Sequence, residues 1–123
     1  MTRHLRQRFG DAGEAAAARH LEAAGYRIVE RQFRSPRGEV DLIAEKDGLL
    51  VFVEVRTRGT SAFGSPAETV SASKQRKVIA AARDYLARRQ GPARDVRFDV
   101  VSIVDHPQGP RLEHLPGAFD ASR

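Results

Sequence analysis

The segment GEVDLIAEKDGLLVFVEVRTR, residues 38–58, constrains the fold more than any other part of the chain. Two runs rich in Val, Leu and Ile flank Asp47-Gly48, a dipeptide that closes two-residue β-hairpins. With that loop Lys46 pairs with Leu49, and partner numbers sum to 95 throughout. Asp41 then lies opposite Glu54, and Glu39 opposite Arg56. Cross-strand partners have β-carbons about 4.5–5.5 Å apart, and like charges placed so are destabilising. Val51, Phe52 and Val53 mark a buried central strand. Two carboxylates in such a place need a proton, a basic neighbour or a metal ion. Two readings fit. Glu39, Asp41, Glu54 and Arg56, with the Val55 carbonyl as a further oxygen ligand, form a chemical site, or they form a salt-bridged sheet face. Periodicity alone does not separate these.

The rest of the chain surrounds the hairpin with helices and strands. Residues 2–24 read as a helix with Leu5, Phe9, Ala12, Ala16 and Ala23 on its apolar stripe, closed by Gly25. Tyr26 to Arg34 reads as a strand and Ser35-Pro36-Arg37-Gly38 as a turn. Gly59 to Pro66 reads as a flexible loop. A second helix is expected from Ser71 or Ser73 to Arg89, burying Val78, Ile79, Ala82 and Leu86. Val96 to Val104 is a strand, with a short one near Arg111 to Leu115. The order αβββαβ implies an α/β domain with a central mixed sheet flanked by helices. One domain is expected over residues 1–115, followed by a flexible tail at 116–123.

Composition removes several classes of function. The 123 residues include no cysteine, which excludes disulfides, thiolate zinc sites and cysteine nucleophiles. His4, His20, His106 and His114 lack metal-ligand spacing and read as surface residues, so any metal would be a hard ion such as Mg2+ or Mn2+ on carboxylates. The longest apolar run, Leu49 to Val53, is far short of the roughly 20 residues of a membrane span. Arg3, Arg6 and Arg8 are followed by Asp11 and Glu14 rather than by an apolar segment, unlike a secretory signal. A cytoplasmic protein with no membrane partner is therefore expected. Lys and Arg outnumber Asp and Glu by 21 to 16, an excess that suits either solubility or a nucleic-acid partner.

Several spaced blocks agree, in order, with a known family. Gly13-Glu14, GYRIVERQFR at 25–34, GEVDLIA, VFVEVRTR, Lys74 and RFDVV at 97–101 together resemble the YraN-like family. These are small bacterial proteins related to Holliday-junction resolvases and the restriction-endonuclease-like fold. The resemblance covers about Leu5 to Val104. It implies a nuclease motif of one Asp followed about a dozen residues later by Glu-x-Lys. Asp41 would be the metal-ligand Asp, Glu54 the second acid, and Glu14 the helix glutamate completing the site. Gly10, Ala17 and Leu21 are the same-face neighbours of Glu14, which fits that role, and a solvated helix glutamate is the alternative. Arg56 stands where the motif has lysine. Arginine keeps the charge and the bidentate phosphate grip, but with a pKa above about 12 it is no base. Lys74 or a divalent ion would have to supply that function.

The implied function is binding of DNA, duplex or branched, with Mg2+- or Mn2+-dependent hydrolysis at Asp41, Glu54, Arg56 and Glu14, assisted by Glu39. Asp41, Glu54, Glu14 and the Val55 carbonyl would be the metal ligands. Arg34, Arg37, Arg58, Lys74 and Lys77 form the expected phosphate-binding surface, with Arg31 and Arg76 nearby. Phe63 in the loop reads as a core anchor or a substrate contact, and Asp99 as a structural partner of an arginine. The symmetry of a junction substrate suggests a homodimer. Two rivals remain: a catalytically silent nucleic-acid-binding module, favoured by Arg56, and a protein-interaction subunit in which the acidic cluster is only a salt-bridged surface.

Overall fold

The computed structural model describes residues 2–58, 70–92, 94–104 and 106–121, with side chains from residue 12 onward except that of Arg58. The expected loop 59–66 with Phe63, and the Leu5 and Phe9 side chains, lie outside the described residues.

A type I′ turn organises the sheet. Asp47 (φ 51°) and Gly48 (φ 79°) both take positive φ, the geometry whose twist matches that of the flanking strands. It joins β2 (Gly38–Lys46) to β3 (Leu49–Arg58), and the expected register holds from Lys46↔Leu49 to Leu42↔Val53. β1 (Arg27–Ser35) pairs antiparallel with β2. Helix α2 (Ala72–Arg88) crosses over from β3 to the parallel strand β4 (Asp95–Val104), and β5 (Arg111–Phe119) closes the other edge antiparallel to β4. The sheet order is β1-β2-β3-β4-β5. With α1 (Thr2–Ala23) at the start, this is a mixed α/β fold consistent with the restriction-endonuclease-like architecture.

The helices cover opposite faces. Val51 and Val53 pack with Ala17, Ala18 and Leu21 of α1, while Leu50 and Phe52 between and before them pack with Val78, Ile79, Ala81 and Ala82 of α2. That alternation is the period-2 geometry of a strand buried on both sides. Helix α1 ends where Gly25 takes φ 95° and the Tyr26 N–H returns to the Leu21 carbonyl at 3.0 Å. Ser71 is the N-cap of α2, accepting the Lys74 backbone N–H at 3.1 Å.

Two expectations are corrected. Among the described side chains of α1 the buried ones are Glu14, Ala17, Ala18 and Leu21, whereas Ala12 and Ala23 are exposed. Four consecutive alanines, Ala15 to Ala18, offer a small residue on every side, so composition could not choose the face. The chain from Pro116 to Ala121 is also not a loose tail. β5 runs on to Phe119, whose ring stacks on Phe98 at 5.3 Å, and Ala121 packs against the α2-side core. Residues 122–123 lie outside the described residues. No helix among the described residues is long and apolar enough to cross a membrane.

Candidate functional site

The strands at the hairpin's open end depart from regular pairing. Residues two apart on a strand share a face, yet Val40 packs with the α2-side core and Leu42 with the α1-side core. Asp41 is the residue between them. Across β1, Arg31 and Phe33 pair with Leu42 and Val40, so Gln32 stands opposite Asp41. Gln32 has φ 51°, a left-handed conformation uncommon outside glycine. β1 and β2 thus turn over together at this point, and β2 stops pairing with β3 beyond Leu42↔Val53. The Val55 N–H is satisfied instead by the Asp41 carboxylate, Oδ2 accepting at 2.8 Å.

Glu54 follows the parity of Leu50 and Phe52 and points to the α2 side. It is 2% exposed and hydrogen-bonds the Asp41 carboxyl. Burial pushes its carboxyl up to about 9, and the hydrogen bond and charge of Asp41 add to the rise, against partial relief from Lys74 and Arg56. The carboxyl pair therefore holds a proton more tightly than an exposed glutamic acid does. Lys74, in the first turn of α2, holds its Nζ 3.5 Å from Glu54 and 3.7 Å from Glu39.

The other expected residues fall around this pair. Glu39 does not stand opposite Arg56. It pairs with Arg34 on β1, with Nε–Oε2 at 3.3 Å, because the β2–β3 ladder has already ended. Arg56 is exposed, sits beside Ser102 in the β4 register, and reaches Glu54 only through its charge. Glu14 is buried at 8% exposure on α1 and accepts from Gln32 Nε2 at 3.2 Å. It is thus linked to the site through the residue opposite Asp41. Arg37 is fastened to α2: Nε and one terminal nitrogen reach the Asp84 carboxylate, the latter at 2.7 Å, and the Ala80 carbonyl accepts at 3.3 Å. Hydrogen bonding to Asp84 raises Arg37 and lowers Asp84 to about 2. The Arg58 side chain lies outside the described residues. Gln32 was not anticipated. Its signal in the sequence is an amide interrupting the alternation of β1 between Arg31 and Phe33.

A cleft of about 410 Å³ opens beside the pair, between the β1–β2 turn and the start of α2, with Arg34, Glu39, Lys74 and Lys77 among its walls. Gly38 lets the two walls meet: a Cβ there would lie 2.2 Å from the Lys77 carbonyl oxygen.

The donors suit one kind of ion. Mg2+ is commonly held by one or two carboxylates, its other positions filled by water and phosphate oxygens, and Asp41 with Glu54 offers such a pair. Among the described residues no three Asp, Glu or His side chains gather around one point, so a site saturated by protein ligands is not formed.

The model of "Uncharacterised protein family UPF0102" matches residues 13–103, which bears out the YraN-like resemblance. A UPF0102 protein of Myxococcus xanthus (strain DK1622) is 47% identical over 116 residues, covering 94% of this chain and 92% of the relative. One from Acidovorax sp. (strain JS42) is 50% identical over 117 residues, covering 92% and 85%. A third, from Symbiobacterium thermophilum, is 47% identical over 118 residues, covering 95% of this chain and the whole relative.

Proposed function

The chain belongs to family UPF0102, and from the arrangement around Asp41 we propose that it binds DNA and hydrolyses phosphodiester bonds with Mg2+ or Mn2+. One observation carries this reading: the buried Glu54 and the half-buried Asp41 meet as a hydrogen-bonded carboxyl pair where two strands part, with a lysine ammonium 3.5 Å from Glu54. Such a pair is costly for folding, and its geometry serves charge at a reacting centre better than it serves the core. Asp41 and Glu54 would hold the ion, which when bound would supply neutralisation of charge on a phosphoryl oxygen. Lys74 stands ready to stabilise the charge that develops on the phosphate. Arg56, outside the carboxyl pair, grips a phosphate oxygen without serving as a base. Glu14 acts through Gln32 and keeps the turned-over strands in place. A branched substrate with two-fold symmetry fits a dimer of this chain.

The test is cleavage of labelled duplex, flap and four-way-junction DNA in Mg2+ and in Mn2+. Wild type is expected to cut at least one substrate, and Asp41→Ala to cut none. The second reading is a binding module that has kept the fold, and Arg56 at the motif's lysine position favours it. It requires salt-dependent binding by wild type, silence in both metals, and no activity in Arg56→Lys.

A further inference from the structure

We propose that the cleft beside the carboxyl pair is a second anion site, which takes the backbone phosphate adjacent, on the same DNA strand, to the one at Asp41 and Glu54. This rests on the phosphodiester reading above and adds what the substrate must carry. Lys74 belongs to both places: its ammonium is 3.5 Å from Glu54, and its side chain forms part of the cleft wall. Lys77 lies one helical turn further along the same wall, and residues at i and i+3 on a helix have β-carbons about 5–6 Å apart. That separation is comparable with the step between successive phosphates of a strand. A phosphate on Lys74 therefore puts its neighbour within reach of Lys77.

The cleft keeps one cation, Lys77, outside every ion pair among the described residues, beside partners whose charges are shared. Arg37 is consumed by Asp84 and the Ala80 carbonyl and serves as a strut rather than a phosphate contact. Glu39 is the one carboxylate in the wall, set against Arg34, Lys74 and Lys77. Lys77 makes no ion pair with any described residue, and the Arg34 side chain is 72% exposed with a single 3.3 Å contact. The two walls meet closely at Gly38, where an added Cβ would run into the Lys77 carbonyl. A net-positive cleft of about 410 Å³ suits a phosphate and part of its sugar.

The substrate class follows. The site reads at least two consecutive phosphates, so a dinucleotide with one internal phosphodiester fills only half of it. The test uses the full chain, 15N-labelled, in metal-free buffer at about 50 mM salt, where phosphate contacts are strong. It is titrated with TpT, with pTpT and TpTp, and with a 20-base-pair duplex. One of the two phosphorylated dinucleotides is expected to bind about tenfold more tightly than TpT, as a charge-assisted contact would give. Which one it is gives the strand polarity. Lys77→Ala should abolish that gain, and Arg83→Ala, which removes a cation outside the cleft, should keep it. If duplex binds but the added phosphate brings nothing, or its gain survives Lys77→Ala, the second anion site is refuted and the phosphodiester reading stands. If wild type binds neither duplex nor dinucleotide, both fall.

Discussion

Glu54 hydrogen-bonds Asp41 at the place where β2 and β3 cease to pair, and burial together with the Asp41 charge raises the Glu54 carboxyl. Its consequence for stability has a definite sign. The folded-state pKa of Glu54, about 9, lies above its ordinary value of 4.5, so between those values the native state binds more protons than the unfolded chain. Stability from this group is complete below about pH 4.5 and is lost as pH rises toward 9. Urea denaturation of the metal-free protein from pH 5 to pH 9 should show a decline on the order of a few kcal/mol. Glu54→Gln, neutral at every pH, should flatten that slope. An unchanged slope would mean that Glu54 is ionised in the native state.

Removal or addition of a divalent ion is coupled to the same proton. A cation held by Asp41 and Glu54 must displace the proton that Glu54 carries, so apparent affinity should rise with pH up to about 9. Calorimetric titration with Mn2+ in two buffers of different ionisation enthalpy should report release of roughly one proton. Asp41→Asn should abolish the heat. Binding without proton release would place the ion elsewhere.

What the sequence discloses depends on whether local chemistry or distant packing decides. The Asp47-Gly48 hairpin was legible because few residues tolerate positive φ at both central positions of a two-residue turn. Its register followed as far as Leu42↔Val53, one pair short of the expected Asp41 and Glu54, which meet through their side chains beyond the end of the ladder. The pairing of Glu39 was misassigned because nothing in GEVDLIA marks the point where the strands turn over. That departure coincides with the left-handed Gln32 on β1 and with the close approach of α2 to Gly38. The end of β5 was hidden for a related reason. Pro116 and Gly117 read locally as terminators, yet the Gly117 N–H donates to Asp99 and Phe119 stacks on Phe98, contacts made 18 and 21 positions away in the chain.

Asp99 is expected to be the most sensitive structural residue of β4. It is fully buried, and both its oxygens are saturated: Arg97 donates twice at 2.7 Å, His114 Nε2 lies at 2.7 Å, and the Gly117 N–H at 3.0 Å. Burial alone would raise this carboxyl, but those donors together hold it below its ordinary 3.8. Its stabilisation is thus present above about pH 3.8 and is lost as pH falls below it, opposite in sign to Glu54. Asp99→Ala leaves Arg97 and His114 without their shared acceptor and should cost about 3–5 kcal/mol at neutral pH. Chemical denaturation with a far-ultraviolet readout measures this. A loss below about 1 kcal/mol would show that the network is not a keystone of the sheet.

Two glycines separate a tight approach from a tolerant one. At Gly38 a methyl group would meet backbone, 2.2 Å from the Lys77 carbonyl oxygen, which belongs to a helix and cannot swing aside. At Gly13 it would meet the Ile103 Cδ1 at 3.1 Å, the free end of a side chain that can change rotamer. Gly38→Ala must therefore push α2 away from the β1–β2 turn, at a cost of about 1–3 kcal/mol or more, while Gly13→Ala should stay within about 1 kcal/mol of wild type. Because Lys74 and Lys77 ride on the displaced helix, Gly38→Ala should also weaken DNA binding under conditions where the variant is still folded. Denaturation curves and DNA titrations on the same preparations check both halves. Equal stability of the two variants would show that α2 does not seat on Gly38 as closely as the geometry requires.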